Sequence, residues 1–303
     1  MTVAITGASG HYGRMLTGLL LERIAPSELI LITRSPQALA GRLPPGVRVR
    51  YGDFDKPQTL REAFAGATRA LIISTLSVGR RREQHRRAIE AACAAGVRHL
   101  VYTSSVGIHP HSPAIVIRDH LETEEILRGC GAAFTILRDA QYAEVMATML
   151  APMALASGKW FASAGDGGMA FVAKRDCVES AAAVLTRPGH EGAVYEITGP
   201  EIYSFRDACT LAAELGGRPI EYIIVSDAEK QAQFDAAGIP RHYVEGMESE
   251  ATGAWSSDDM VSYERAIREG YFSVCSRHVQ LITGRPALSL REVFLANRAA
   301  LGA

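Results

Sequence analysis

The chain has 303 residues, is 48% hydrophobic and carries a formal net charge of -1, which supplies a substantial core and no electrostatic case for binding nucleic acid or an anionic membrane. Its five cysteines, Cys93, Cys130, Cys177, Cys209 and Cys275, are scattered without a CxxC pair, a pattern of reduced thiols that speaks against disulfides and zinc. Glu144 and Pro152 interrupt the most apolar long stretch, Ala143–Ala156, and a strand begins at the N-terminus without room for a signal peptide, so a cytoplasmic protein with no metal site is expected.

In chain order, Val3–Thr6 predicts a short buried strand that runs into Gly7-Ala8-Ser9-Gly10-His11-Tyr12-Gly13 and a helical pattern from Arg14 to Ile24. A strand, a tight turn of small residues and a helix N-terminus place backbone N–H groups and a positive helix end at a pyrophosphate. Gly7 supplies a positive φ, Gly10 lets phosphates approach the backbone, and Gly13 lets the helix pack closely on the sheet. Further strands are predicted at Leu29–Thr33, Val47–Tyr51, Ala70–Ser74, His99–Thr103 and Phe134–Leu137, with helices near 57–65, 80–95 and 118–129. This alternation predicts an α/β fold with a doubly wound parallel sheet over residues 1–150, its ligand loops at the carboxyl ends of the strands.

Beyond residue 150 the rhythm loosens. Ala164–Gly168 is a turn signal, Met169–Ala173, Val194–Ile197 and Ile220–Val225 read as short strands, and helices are expected at Arg175–Thr186 and near 204–215, 226–237, 276–284 and 289–300. Residues 151–303 are thus expected to form a smaller mixed α/β substrate-binding portion, with parts of 170–200 returning to the first domain.

The second strand ends in Arg34-Ser35-Pro36, where a cofactor with a free ribose 2′-OH normally meets a carboxylate. A guanidinium there binds a 2′-phosphate by charge-assisted hydrogen bonds, so NADPH/NADP+ is predicted over the non-phosphorylated pair; the alternative is a solvated surface arginine. Asp53 and Phe54 are candidates for receiving and flanking adenine, or Asp53 only caps a helix near Pro57. Ser74 and Thr75 end a strand on the same side of the sheet as the Ser104-Ser105 pair, which touches the nicotinamide ribose as a cofactor contact or else only ends its own strand.

The helix after the fifth strand reads His120-Leu121-Glu122-Thr123-Glu124, where alcohol dehydrogenases of the short-chain class carry YxxxK. His120 is the candidate proton donor, paired with Glu124 at i,i+4, or else it packs without titrating. Tyr142 is the second catalytic candidate and also a cofactor neighbour: it stacks on an aromatic substrate, donates a hydrogen bond, or anchors the helix that begins there. An acceptor that becomes a stable anion, as a quinone does, needs no strong enzymatic acid. The run Arg80–Arg87 reads as a solvated helix face, or else as a surface for phosphate or an acidic partner, and His109-Pro110-His111 as loop histidines rather than a metal site.

Thr6–Gly13, Arg34, Asp53, Gln84-His85, Tyr102-Thr103-Ser104, Asp119–Glu124, Leu137-Arg138 with Tyr142, Ala164–Gly167 and Gly189–Glu196 together resemble the NmrA-like atypical short-chain dehydrogenases, and within them the quinone oxidoreductase type 2 and triphenylmethane reductase branch. The resemblance implies a Rossmann domain, NADPH as reductant and a quinone or related aromatic acceptor. It also implies cofactor contacts from Gly7, Ser9, Gly10, His11, Tyr12, Gly13, Arg34 and the loop of Ser74 and Thr75, with Tyr142 bordering the nicotinamide. A reductase of aromatic ethers or lignan-like compounds, and a redox sensor binding NADP(H) without turnover, are the alternatives within that group. A small aromatic or quinone-like substrate is the expected partner, with no nucleic acid and no membrane, and the chain a monomer or homodimer. The sequence departs from the branch at Asp139 and Gln141, and its region from Glu248 to Ala303 is longer than the branch leads one to expect.

Overall fold

A computed structural model of the chain describes residues 1–244, 247 and 256–302. The strands are β1 (Val3–Ile5), β2 (Leu29–Thr33), β3 (Arg48–Tyr51), β4 (Arg69–Ile72), β5 (His99–Ser105), β6 (Ala133–Asp139), β7 (Lys159–Ala162), β8 (Gly168–Met169), β9 (Val194–Ile197), β10 (Tyr203–Ser204) and β11 (Glu221–Ile224). The helices are α1 (His11–Leu21), α2 (Leu60–Phe64), α3 (Arg81–Ala94), α4 (Ile115–Gly129), α5 (Ala143–Val145), α6 (Ala151–Ser157), α7 (Lys174–Thr186), α8 (Phe205–Gly216), α9 (Asp227–Ala236), α10 (Ser257–Arg268), α11 (His278–Thr283) and α12 (Leu290–Ala296).

Seven strands form one parallel sheet in the order β3-β2-β1-β4-β5-β6-β9. Val3, Ile5, Leu29 and Leu31 pack into a core with Leu16 and Leu20 of α1 and Ala181 and Val184 of α7. Their neighbours Ala4, Ile30 and Ile32 face Leu60, Phe64 and Ile89 of α2 and α3 on the other side. Both faces are covered, which is why these strands read as continuous apolar runs rather than alternating ones. The chain winds outward from β1 to β3, then returns to the far side of β1 as β4. A crevice therefore opens at the carboxyl ends of β1 and β4, where a doubly wound sheet binds its ligand.

After β6 the helix from Ala143 to Ser157 is continuous but changes pitch, with a π turn over Met146–Leu150 directly before Pro152. Proline cannot donate to an i−4 carbonyl and its ring needs room there, which the wider turn provides. The next segment builds two small ladders, β7 with β11 in parallel and β8 with β10 antiparallel, and β9 then joins the main sheet beside β6. Ser204, Ser226 and Ser289 each form a reciprocal capping box, with Asp207, Glu229 and Glu292, which fixes where α8, α9 and α12 begin.

Several sequence expectations shift. The helix expected near 57–65 is a 3-10 turn, Pro57–Thr59, followed by the short α2. The helix expected from residue 118 starts three residues earlier at Ile115, in a β-branched stretch that tertiary packing makes helical. Of Met169–Ala173, only Met169 lies in a strand, while Val172 makes an isolated bridge to Tyr142. Among the described residues no helix is long and apolar enough to cross a membrane.

Candidate functional site

At the carboxyl end of β1 the glycine loop turns with φ +61° at Gly7. It is pinned by Ala8 N–H donating to the Ile32 carbonyl (3.2 Å), Gly10 N–H donating to the Gly7 carbonyl (3.0 Å), and a Ser9–Thr33 hydroxyl pair (2.7 Å). A Cβ on Gly13 would stand 2.4 Å from the Gly7 oxygen and 2.7 Å from Ala8 Cα, so Gly13 lets α1 close onto the loop backbone itself rather than onto the sheet. Helix α1 starts on Gly10 with no side-chain cap and no acid in its first turn. An uncapped N-terminus of this kind presents N–H groups and positive dipole to an anion.

The loop forms one wall of a cleft of about 390 Å³ bordered also by Arg34, Asp53, Phe54, Ser74, Thr75 and Gln84. His11 lines it as well, its Nδ1 3.0 Å from Lys174 Nζ. Tyr12 is nearly buried and its hydroxyl donates to the Cys177 carbonyl (3.2 Å), leaving its backbone as what it can offer a ligand. Arg34 and Ser35 are exposed at the cleft's rim. Asp53 does not cap a helix at Pro57: its carboxylate accepts the Asp55 N–H (3.0 Å) and the Tyr51 hydroxyl (3.3 Å) inside its own turn. Gln84 holds that turn from α3, its Nε2 donating to Asp55 (2.9 Å) while Oε1 accepts the Thr75 hydroxyl (2.7 Å). The residues therefore fit a dinucleotide: glycines and a bare helix end for a pyrophosphate, an arginine for a phosphorylated ribose, and in Phe54 an aromatic ring in the same cleft that could flank a base.

Through Ser74 and Leu76 the cleft joins a second pocket of about 180 Å³ over the ends of β5 and β6. Its walls include Ser104, His120 and Tyr142, as read from the sequence, together with Arg81, Thr103, Asp139, Asp259 and Tyr263. Tyr142 presents a partly buried ring, with Lys174 Nζ 5.0 Å from the ring centre, and burial raises its hydroxyl well above the ordinary range.

The expected pair of His120 and Glu124 does not form. Glu124 is turned away to Arg138, which grips it through Nε (2.8 Å) and Nη2 (2.7 Å), and it also accepts the Ser104 hydroxyl (2.7 Å). Ser104 thus spends its proton inside the protein. His120 instead contacts Arg81 Nη1 through Nε2 (3.3 Å) and Tyr102 through Nδ1 (2.7 Å). A guanidinium only donates, so Nε2 must be the unprotonated nitrogen and Nδ1 carries the hydrogen. Burial, then the charge of Arg81, hold the imidazole well below its usual pKa. The expectation of a proton donor near neutral pH is corrected accordingly: His120 is a fixed neutral imidazole.

Tyr102 leads on to His85, whose Nδ1 lies 3.3 Å from the Tyr102 oxygen and 3.1 Å from Thr123 Oγ1, and whose Nε2 accepts the Thr75 N–H (3.0 Å). Burial keeps His85 neutral as well, with a pKa lowered to about 3. A buried polar chain therefore runs from Arg81 in the second pocket to Thr75 in the cofactor cleft. Asp139, at the end of β6, is 7% exposed, and apart from the Cys177 thiol that faces it neither carboxyl oxygen has a hydrogen-bonding partner among the described residues. Burial pushes its pKa up to about 8.

The arginine run divides. Arg86 and Arg87 pair with Glu83, Arg80 with Asp55 and Arg82 with Glu122, as a solvated face should, whereas Arg81 is buried. Sequence reasoning missed Arg81 because its charge vanished into that run. It also missed α10, which brings Asp259 and Tyr263 to the pocket, although Ser256 accepting the Asp259 N–H is the cap that Ser-Ser-Asp-Asp advertises. Lys174 escaped notice because nothing in the sequence places α7 beside α1.

A family model described as NAD(P)H-binding matches residues 7–155. Quinone oxidoreductase 2 of Escherichia coli (strain K12) is 35% identical over 241 residues, 78% of this chain and 82% of that one. The NAD(P)H azoreductase of Xenophilus azovorans is 26% identical over 302 residues, 99% of each chain. Among solved structures, the NADPH complex of the E. coli quinone oxidoreductase QOR2 superposes with a TM-score of 0.86 at 31% identity, over 97% of this chain and 99% of that one. The Citrobacter sp. triphenylmethane reductase complexed with NADP(H) gives 0.86 at 28% identity, over 98% and 100%. Of the region from Glu248 to Ala303 that the sequence singles out, residues 248–255 and 303 lie outside the described ones.

Proposed function

The chain belongs to the NAD(P)H-binding family of NmrA-like oxidoreductases that includes quinone oxidoreductase 2 and triphenylmethane reductase, and from that premise we propose that it reduces a quinone or related aromatic acceptor directly, without a flavin. It is an NAD(P)H-dependent oxidoreductase with NADPH/NADP+ as its cofactor. When bound, NADPH supplies a hydride.

The observation that carries the acceptor class is the second pocket, which adjoins the cofactor cleft and in which neither expected donor, His120 or Tyr142, is a ready acid; its Asp139, protonated up to about pH 8, is buried beside the Cys177 thiol. His120 is neutral with Nδ1 committed to Tyr102, and the Tyr142 hydroxyl is held above its ordinary pKa. An alkoxide product would need a donor in step with hydride arrival, whereas a hydroquinone monoanion is stable enough to leave and take its proton from water. The Tyr142 ring supplies a stacking surface, and Val116 and Val145 add apolar lining to the same pocket. The glycine loop, Arg34 and the Ser74–Thr75 segment hold and orient the reductant, so catalysis rests on placement of two rings against each other.

The names of relatives agree with this reading: an azoreductase and a triphenylmethane reductase, like a quinone reductase, act on extended aromatic compounds. Steady-state oxidation of NADPH by a panel of benzoquinones and naphthoquinones, in flavin-free protein, tests the reading. It fails if no quinone raises NADPH oxidation above background.

A further inference from the structure

Arg81 opens α3 and is 8% exposed, the buried arginine in a run whose other members are paired at the surface. Its side-chain hydrogen-bonding neighbour among the described residues is the neutral His120, and its Nε is buried without a partner among them. The nearest acidic groups serve elsewhere: Asp119 of α4 accepts the Gly79 N–H at 2.6 Å, and Asp259 of α10 takes a backbone N–H from Val116. Neither comes within 4.0 Å as an ion pair of Arg81 among the described residues. Arginine does not give up its proton, so a full positive charge stands in the wall of the second pocket, only partly compensated by its own protein. Leaving such a charge desolvated is costly unless a ligand completes it.

We propose that Arg81 binds the acceptor oxygen on which negative charge collects as hydride arrives, and so selects acceptors whose reduced form is a phenolate or hydroquinone monoanion. This deepens the reading of the site as a reductase of aromatic acceptors and rests on it. The acceptor gains two electrons and one proton with the hydride, and NADPH becomes NADP+. The remaining negative charge sits on an oxygen against the guanidinium and is quenched by a proton from water as the product departs. A guanidinium fixed before the reaction stabilises that charge without reorganising, as an oxyanion site does. His120 is the positioning residue: its unprotonated Nε2 faces Nη1 and its Nδ1–H is anchored on Tyr102.

The test is spectroscopic binding of 4-nitrophenol to the protein saturated with NADP+, since the phenolate absorbs at a wavelength where the phenol does not. In the wild type the bound phenol should ionise about one pH unit or more below its free value. In Arg81→Met the shift should vanish and phenolate affinity fall about 10- to 100-fold, with NADPH affinity retained. Arg81→Lys should recover part of both. An unshifted phenol in the wild type, or a full shift surviving in either variant, overturns the proposal, and the wild-type measurement decides even if Arg81→Met fails to fold. Should quinones prove inert while the shift appears and depends on Arg81, the quinone reading falls and the anion site stands; quinone turnover without the shift has the opposite meaning.

Discussion

Replacing Gly13 by alanine probes the closest backbone approach in the cofactor loop. The new Cβ would lie 2.4 Å from the Gly7 oxygen, 2.7 Å from Ala8 Cα and 3.0 Å from the Ala8 carbonyl carbon, all main-chain atoms that no rotamer change can move. Either α1 or the loop must retreat, and overpacking of this kind costs roughly 1–3 kcal/mol. At this chain length that corresponds to a fall in Tm of roughly 2–6 °C. The loop is tied to the sheet at Ala8 and Ser9 and closed on itself from Gly10 to Gly7, so the shift is shared with the N–H groups proposed to meet the pyrophosphate. Losing one charge-assisted hydrogen bond there weakens NADPH binding by about 10- to 100-fold. Gly18→Ala, in the same helix, is the control: its Cβ meets nothing within 4 Å, and helix propensity then favours the variant by up to about 1 kcal/mol. Thermal melts and NADPH titrations by protein fluorescence measure both quantities. The reasoning is refuted if Gly13→Ala binds NADPH like the wild type and melts no lower, or if Gly18→Ala is the more damaged of the two.

Other outcomes follow from the same geometry. Arg34→Glu should weaken NADPH by at least about 10-fold and leave NADH binding equal or better, because a carboxylate repels the 2′-phosphate and accepts from a ribose hydroxyl; competitive titration of the two reductants checks it. Asp139→Asn should stabilise the protein at pH 8. The buried carboxyl, faced by Tyr12, Cys177 and Tyr142, keeps its proton up to about pH 8 while the unfolded chain loses it near 4. Wild-type stability relative to the variant therefore declines between those values by about 1.4 kcal/mol per pH unit, which denaturation at pH 5, 6.5 and 8 measures; parallel curves would contradict it. Glu124→Ala leaves Arg138 with Glu196 as its remaining acidic partner and should cost about 3–5 kcal/mol, while Glu122→Ala, at an exposed pair with Arg118, should cost under about 1 kcal/mol in urea unfolding.

The sheet was legible because its strands are buried on both faces: Leu29–Thr33 needed no alternation to be recognised, and its range agrees residue for residue with β2. The place of Arg34 and the glycine loop in the cleft was legible for a related reason, since a doubly wound sheet opens its crevice where the strands end. The pocket beyond them was not. Tyr142 and His120 lie in it, but whether His120 pairs with Glu124 depends on Arg138 reaching across from β6 and Arg81 from α3, contacts between residues 14 and 39 positions apart. Asp259 and Tyr263 arrive from the far end of the chain on a helix whose cap, Ser256, was readable and whose destination was not. Local pattern reports what a segment becomes; the partners of a buried charge are decided by tertiary packing.

The central claim is direct hydride transfer from NADPH to an aromatic acceptor without a flavin. Protein shown by its spectrum to be flavin-free should be turned over with a quinone and NADPH deuterated at C4 on one face or the other, and the NADP+ examined by mass spectrometry. The account predicts that the label is lost from one face only and retained from the other, with a primary isotope effect for the label that is lost. Absence of acceptor-dependent NADPH oxidation, or oxidation that begins only when flavin is added, would contradict it.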